Sequence, residues 1–210
     1  LSDDGTVALK GISFSNDGKY LAYTISRSGS DWEEIYVMDV KTQKLLPDHI
    51  VWAKFTGADW QGDGFYYSAY DAPEKGKETS AKNEIQKVYY HKMGTPQSQD
   101  QLFYQNPANP LRFYGVGVNK EETMMFLTES GMDQGINLFV RDLRQPNSQF
   151  IQMTGDCSKA YSPVEIIGDD IYMLTNAGAQ KYRLMVANLK KPGYQDWKEL
   201  IPEQDAVLED

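Results

Sequence analysis

The stretch Phe14–Trp32, FSNDGKYLAYTISRSGSDW, decides how the fold is read. It opens on Asp17-Gly18, a hairpin signal, because a type I′ turn needs φ > 0 and Asp-Gly tolerates it. A strand-like run from Tyr20 to Ser26 follows, then small polar residues, then Trp32. Leu21, Tyr23 and Ile25 point one way; Tyr20, Ala22 and Thr24 point the other. An antiparallel sheet with one wet face alternates apolar and polar more cleanly. Two largely apolar faces imply a sheet covered on both sides.

Working outward, the same unit recurs. The turns SNDGK, QGDGF, NKEET and GDDIY lead into YLAYTIS, FYYSAY, TMMFLTE and IYMLTN. The strands after these align without gaps: IYVMDV from Ile35, VYYHKM from Val88, LFVRDL from Leu138 and LMVANL from Leu184. Their starts lie roughly 46 to 53 residues apart, a propeller-like period. KTQK, GTPQ, RQPN and KKPG then turn the chain into short apolar segments, LL, LFY, FIQM and WKELI, suited to outer edge strands. The pattern predicts an all-β fold, a partial β-propeller of about four blades of four-stranded antiparallel sheet. The blades fall at residues 7–47, 50–106, 111–156 and 161–203 of one domain, 1–210. A β-sandwich of similar strand count is the competing architecture. The polar insertion Ala72–Gln86, APEKGKETSAKNEIQ, reads as a mobile loop between two strands of the second blade.

Composition excludes several functions. The 210 residues carry 14 Tyr, 8 Phe and 4 Trp, enough for a sizeable aromatic core. A net charge of -9 argues against nucleic acid, which needs clustered Lys and Arg. No apolar run is long enough to span a membrane, so a soluble protein is expected, cytoplasmic or periplasmic. The opening LSDDGTVALK, without Met or signal peptide, reads as the start of an excised piece. Cys157, the single cysteine, excludes an internal disulfide.

The residues by themselves carry little catalytic chemistry. No Gly-x-Ser-x-Gly elbow occurs, and RSGSDW, with Ser28 and Ser30, reads as a hairpin loop. His91 holds the place that Met38, Arg141 and Ala187 hold in the other repeats, so it reads as structural. His49, in LPDHIVW, reads as solvent-facing in a connection between blades. Two separated histidines without cysteine partners make no zinc site. Asp3-Asp4-Gly5, Asp17-Gly18 and Asp63-Gly64 lack the alternating carboxylates of a calcium loop and read as turns. Cys157 in TGDCSK has no nearby histidine, and YGVGVNK has no helix-opening signature for phosphate. No cofactor or metal is expected.

The wording of the chain is more specific. LSDDGTVALKGISFSNDGKYLAYTISRSGSDW, then LPD, WAKF, WQGDGFYYSAY, KETS, QKVYYHKMGTPQSQD and YRLMVANL resemble the propeller of prolyl oligopeptidases, in the same order. The resemblance implies a seven-bladed parent propeller capping an α/β-hydrolase domain, which carries the Ser, Asp and His that cut short peptides after proline. This chain resembles about four blades and none of the hydrolase part. It implies a gating, non-catalytic segment that is inactive alone. Its partners would be the hydrolase domain of the same parent and short proline-containing peptides. A standalone propeller-like interaction module is the alternative. Resemblance also assigns cavity residues: Phe55 matches, a family Trp-Met pair falls on Phe113-Tyr114, and the family's cavity Arg and Cys fall on Glu129 and Met132 of ESGMD. Gln86 matches a Gln that follows the flexible loop, and reads as a surface residue. Core packing competes with a cavity role for Phe55 and Met132. The change from Arg to Glu129 reverses the charge offered to substrate. Apolar blade faces left open in a partial propeller predict self-association.

Overall fold

The computed structural model describes residues 2, 5–77, 82–132 and 135–209. Asp3 and Asp4 of the first expected turn, residues 78–81 of the polar insertion, and Asp133 of ESGMD lie outside the described residues. Among the described residues the strands run as β1 (Val7–Phe14), β2 (Tyr20–Arg27), β3 (Glu33–Asp39), β4 (Lys44–Ala53), β5 (Asp59–Gln61), β6 (Gly64–Ala69), β7 (Lys87–Lys92) and β8 (Gln101–Gln105), then β9 (Phe113–Val118), β10 (Met124–Ser130), β11 (Ile136–Asp142), β12 (Ile151–Gln152), β13 (Tyr161–Ile167), β14 (Asp170–Thr175), β15 (Arg183–Asn188) and β16 (Lys198–Ile201). Short 3₁₀ turns occupy Gln97–Gln99 and Tyr194–Asp196.

The fold is all-β and built from antiparallel meanders, as a partial, unclosed β-propeller requires. Two four-stranded sheets run β12-β11-β10-β9 and β13-β14-β15-β16. The first sheet departs from the expected pattern. It is one eight-stranded sheet, β1-β2-β3-β4-β6-β7-β8 with β5 on β6, because Ala53 of β4 pairs with Ala69 of β6. The chain divides into two compact units, Leu1–Gly117 and Val118–Asp210.

LPDHIVW, expected as a connection, is strand: β4 runs ten residues through it. The β-branched pair Ile50-Val51 favours extension, and Asp48 and Ile50 turn into the interior while His49 faces out. His49 stacks on Tyr36 at 4.3 Å and lies 2.7 Å from Glu34.

The Asp-Gly turns form, with different geometry from the one expected. At Asp17-Gly18 only Gly18 has φ > 0, at 71°. The Gly18 N–H donates to Ser15 O, and Asp17 Oδ1 accepts from Ser15 Oγ and the Lys19 N–H. A four-residue turn, Ser15–Gly18, that ends on the left-handed glycine replaces type I′. At the second site Gly62, not Gly64, has φ > 0. Gly64 instead lets strands approach: a Cβ there would lie 2.1 Å from His91 O.

Two cores follow. In the first unit Ala22, Ile35, Val37, Ile50, Trp60, Phe65 and Tyr67 pack together. Ser13 Oγ donates to Ala58 O and accepts the Trp60 indole N–H, tying β1 to β5. In the second, Met124, Leu138, Val140, Ile166, Ile171, Met173, Met185 and Trp197 form an aliphatic, methionine-rich core. Where the paired turns set the register, both faces of β6 are buried along its whole length.

Candidate functional site

The most organised polar and aromatic cluster in the first unit lies just beyond the end of β4. The chain leaves β4 through Trp52 and Phe55, with φ of 60° and 54°, a region that costs a non-glycine residue about 1–3 kcal/mol and persists only where neighbours hold it. The neighbours are identifiable. Gln86, 0% exposed, donates from Nε2 to Lys54 O at 2.8 Å and accepts the Tyr114 N–H on Oε1 at 2.6 Å. Ser68 Oγ donates to Tyr114 O at 2.6 Å. The Thr56 N–H donates to Glu33 Oε2 at 3.3 Å, and Thr56 Oγ1 accepts the Ser68 N–H at 2.9 Å. Burial pushes the Glu33 carboxyl up, and its bond from Thr56 partly opposes that rise.

This network leaves Phe55 57% exposed, with its ring edge-on to Phe113 at 5.3 Å. Lys54 sits beside it, its Nζ 5.2 Å from the Trp32 ring centroid and 5.4 Å from that of Phe55. Trp32 in turn meets Trp52 and Tyr70 edge-on. Trp32 thus joins an aromatic cluster at the strand ends.

Four of the six residues assigned by resemblance, Phe55, Gln86, Phe113 and Tyr114, therefore meet in one cluster. Gln86 is a correction: it is no surface residue, because its amide satisfies backbone groups of two segments that would otherwise be buried unpaired. Tyr114 is buried too, its ring against Tyr104 at 5.1 Å. Phe55 is not core. The other two residues belong to the second unit. Met132 is 94% exposed. Glu129, on β10, is buried; its Oε2 accepts Asn137 Nδ2 at 3.3 Å and its carbonyl accepts Cys157 Sγ–H.

One polar group carries no mark in the sequence. His91 is fully buried, with Nδ1 2.8 Å from Asp100 Oδ1 and Nε2 3.1 Å from Asp48 Oδ1. Tyr67 Oη donates to Asp100 Oδ2, and the Gly94 N–H donates to Asp48 Oδ1. Burial alone disfavours the imidazolium; the hydrogen bonds and charges of Asp100 and Asp48 outweigh it and raise the His91 pKa. No sequence spacing marks this trio, since the repeat aligns His91 with Met38, Arg141 and Ala187. A structural role for His91 fits its position.

Among the described residues no group of three or more His, Cys, Asp or Glu is placed to hold a metal ion. No helix among them is long and apolar enough to cross a membrane.

Comparison with known proteins places this architecture. Residues 1–210 match the family model described as "Prolyl oligopeptidase, N-terminal beta-propeller domain". A prolyl endopeptidase of Elizabethkingia meningoseptica is 34% identical over 209 residues, 99% of this chain and 30% of the relative. Prolyl oligopeptidase A of Galerina marginata is 32% identical across 99% of this chain and 31% of its own length. A solved prolyl endopeptidase, from work on inter-domain dynamics in catalysis and specificity, superposes with a TM-score of 0.86 at 28% identity, covering 100% of this chain and 30% of that one. Prolyl oligopeptidase B of Galerina marginata, bound to a 35mer hydrolysis and macrocyclization substrate, gives 0.84 at 25% identity, over 97% of this chain and 30% of that one. The chain thus spans about 30% of the length of these relatives.

Proposed function

Because the chain belongs to the prolyl oligopeptidase family, as its N-terminal β-propeller domain, we propose that it is the substrate-gating segment of a serine endopeptidase that cleaves short peptides after proline. The nucleophile and its partners would lie in an α/β-hydrolase domain of the same protein, and this segment alone would not hydrolyse peptides. The observation that carries the reading is Phe55. An aromatic ring left 57% exposed, on backbone fixed from both sides in an uncommon conformation, is arranged for a ligand more than for folding. Gln86, bonded to Lys54 O and to the Tyr114 N–H, fixes the backbone that carries Phe55. Glu129 is buried in the second unit and accepts from the Asn137 side chain.

The test is a fluorogenic Gly-Pro substrate assayed on the full-length protein and on residues 1–210. Turnover by the first and none by the second is expected; no turnover by the full-length protein overturns the reading. Phe55→Ala in the full-length protein is expected to raise KM several-fold with a smaller change in kcat.

The alternative, a protein-interaction module, draws on a different face. Leu9, Ile12, Leu21, Tyr23, Ile25 and Met38 line a shallow groove of about 580 Å³ on β1–β3, with Leu9 and Ile12 strongly exposed. Self-association through that face is the expected behaviour of the 210-residue segment. Light scattering that shows only monomer at high concentration would remove it.

A further inference from the structure

We propose that Lys54 and Phe55 form a subsite for a carboxylate carried on an apolar peptide segment, with the Lys54 ammonium setting a preference for acidic over neutral side chains there. The inference rests on the substrate-cavity reading above and adds a charge specificity to it.

Lysine is rarely buried without close partners. Lys54 is 9% exposed, yet its ion pair, with Asp31 Oδ2, is 3.4 Å long. A charge-assisted N–H···O bond is usually about 2.7–2.9 Å. Asp31 is itself mostly in water, its side chain 70% exposed, so it neutralises the ammonium weakly. Nζ also lies over the rings of Trp32 and Phe55, which attract a cation without accepting its N–H bonds in full. An ammonium offers three donors. Among the described residues, two rings and one distant carboxylate hold the charge in place and leave hydrogen-bonding capacity for a ligand.

The apolar half of the subsite is adjacent. Phe55 and Phe113 meet edge-on and Phe55 faces solvent. Both sides of Phe55 are anchored: Lys54 O by Gln86, and Thr56 by Glu33 and Ser68. A ligand therefore meets a fixed phenyl with a fixed ammonium beside it. A Glu or Asp side chain, with methylenes against the ring and carboxylate at Nζ, uses both. The net charge of -9 makes the local cation necessary, since the chain as a whole repels an anion.

The experiment uses the full-length protein and proline-containing hexapeptides in which a single Glu or Gln is moved along the residues preceding proline. Affinity is measured by calorimetry on each peptide, alongside initial rates. At one position the Glu peptide is expected to bind about 10-fold tighter than the Gln peptide, the size of one hydrogen bond to a charged group. Lys54→Met should bring that ratio to one, Lys54→Arg should keep it, and Asp31→Asn should raise it by removing the competing carboxylate. The wild-type ratio should fall with added salt. A wild-type ratio of one at every position, or a ratio unchanged in a folded Lys54→Met protein, overturns the proposal. If Lys54→Met does not fold, the Asp31→Asn ratio and the salt dependence decide it. Absence of any hydrolysis would overturn the peptidase reading, while the binding ratio would still decide the role of Lys54.

Discussion

In the first unit a fully buried imidazole lies between two carboxylates, His91 with Asp48 and Asp100. In the second unit a buried amide and hydroxyl, Asn137 and Thr154, hold the strand: Thr154 Oγ1 donates to Asn137 Oδ1 at 2.8 Å and accepts the Leu138 N–H at 2.8 Å, while Asn137 Nδ2 donates to Glu129 Oε2 at 3.3 Å. The surroundings differ in kind. Phe65 packs tilted on His91, and Tyr67 stacks on Tyr89, so rings and charges interleave. Around Asn137 the partners are Glu129, Gln152 and Thr154, and the hydrophobic core of this unit is largely aliphatic and methionine-rich. A buried charge resists removal far more than a buried amide, because what remains is an unpaired ion. The same repeated strand thus carries two forms of polar pinning, with different sensitivities to mutation and pH.

The largest effect should come from His91→Ala, which leaves Asp48 and Asp100 buried without their cation. A loss of about 3–5 kcal/mol is expected, read by urea unfolding and by hydrogen exchange that localises the opening to residues 1–117. A loss below about 1 kcal/mol would mean the carboxylates take protons or water at little cost, and the contrast between the units would collapse.

Thr154→Val tests the other side. It keeps the shape but leaves the Leu138 N–H without its acceptor and weakens the bonding of Asn137, for an expected loss of about 1–2 kcal/mol. An effect equal to that of His91→Ala would break the comparison.

The smallest effect should be the pH response of wild-type protein. The His91 pKa is raised from the usual 6.5, so its stabilisation is complete below that pH and is lost as pH rises through the folded-state value. The loss is a fraction of the His91→Ala effect, because a neutral imidazole still donates one of its two bonds. Asp59, pushed up to about 7 by burial, works in the same direction at lower pH, from the usual 3.8 upward. Glu34 runs opposite: burial would raise it, but Arg27, Tyr36 and His49 hold it at about 2, so its stabilisation is lost as acid titrates it. His91→Gln should flatten the alkaline side alone, followed as Tm against pH. Residues 118–210 contain no histidine and should show no such loss between about pH 6.5 and 8. A matching alkaline loss in both units would assign it elsewhere.

The repeat was legible because strand periodicity and turn chemistry are local. SNDGK and QGDGF carry their own hairpin signals, and IYVMDV, VYYHKM, LFVRDL and LMVANL all prove to be inner strands. Local reading failed where a side chain's partner is distant in sequence. Gln86 looks like a loop residue beside a Lys- and Glu-rich insertion, yet its amide bonds Lys54 and Tyr114, 32 and 28 residues away. His91 looks tolerant, yet Asp48 comes from a strand 43 residues earlier. LPDHIVW looks like a connection because Pro47 and Asp48 are turn residues, yet pairing with β3 holds it extended. The positive φ of Trp52 and Phe55 has no sequence signal, since neither residue favours that conformation.

By itself, then, the sequence determined the all-β class, the repeated antiparallel unit and, through its wording, the family, because these depend on near-neighbour pattern and on composition. Tertiary structure alone decided which polar side chains are buried and paired, that Phe55 faces solvent while Tyr114 does not, and that Lys54 lies among rings with a distant carboxylate. Those outcomes depend on which strands lie side by side. In an antiparallel sheet, residues tens of positions apart become neighbours, and the cost of burying a charge is settled only once those neighbours are in place.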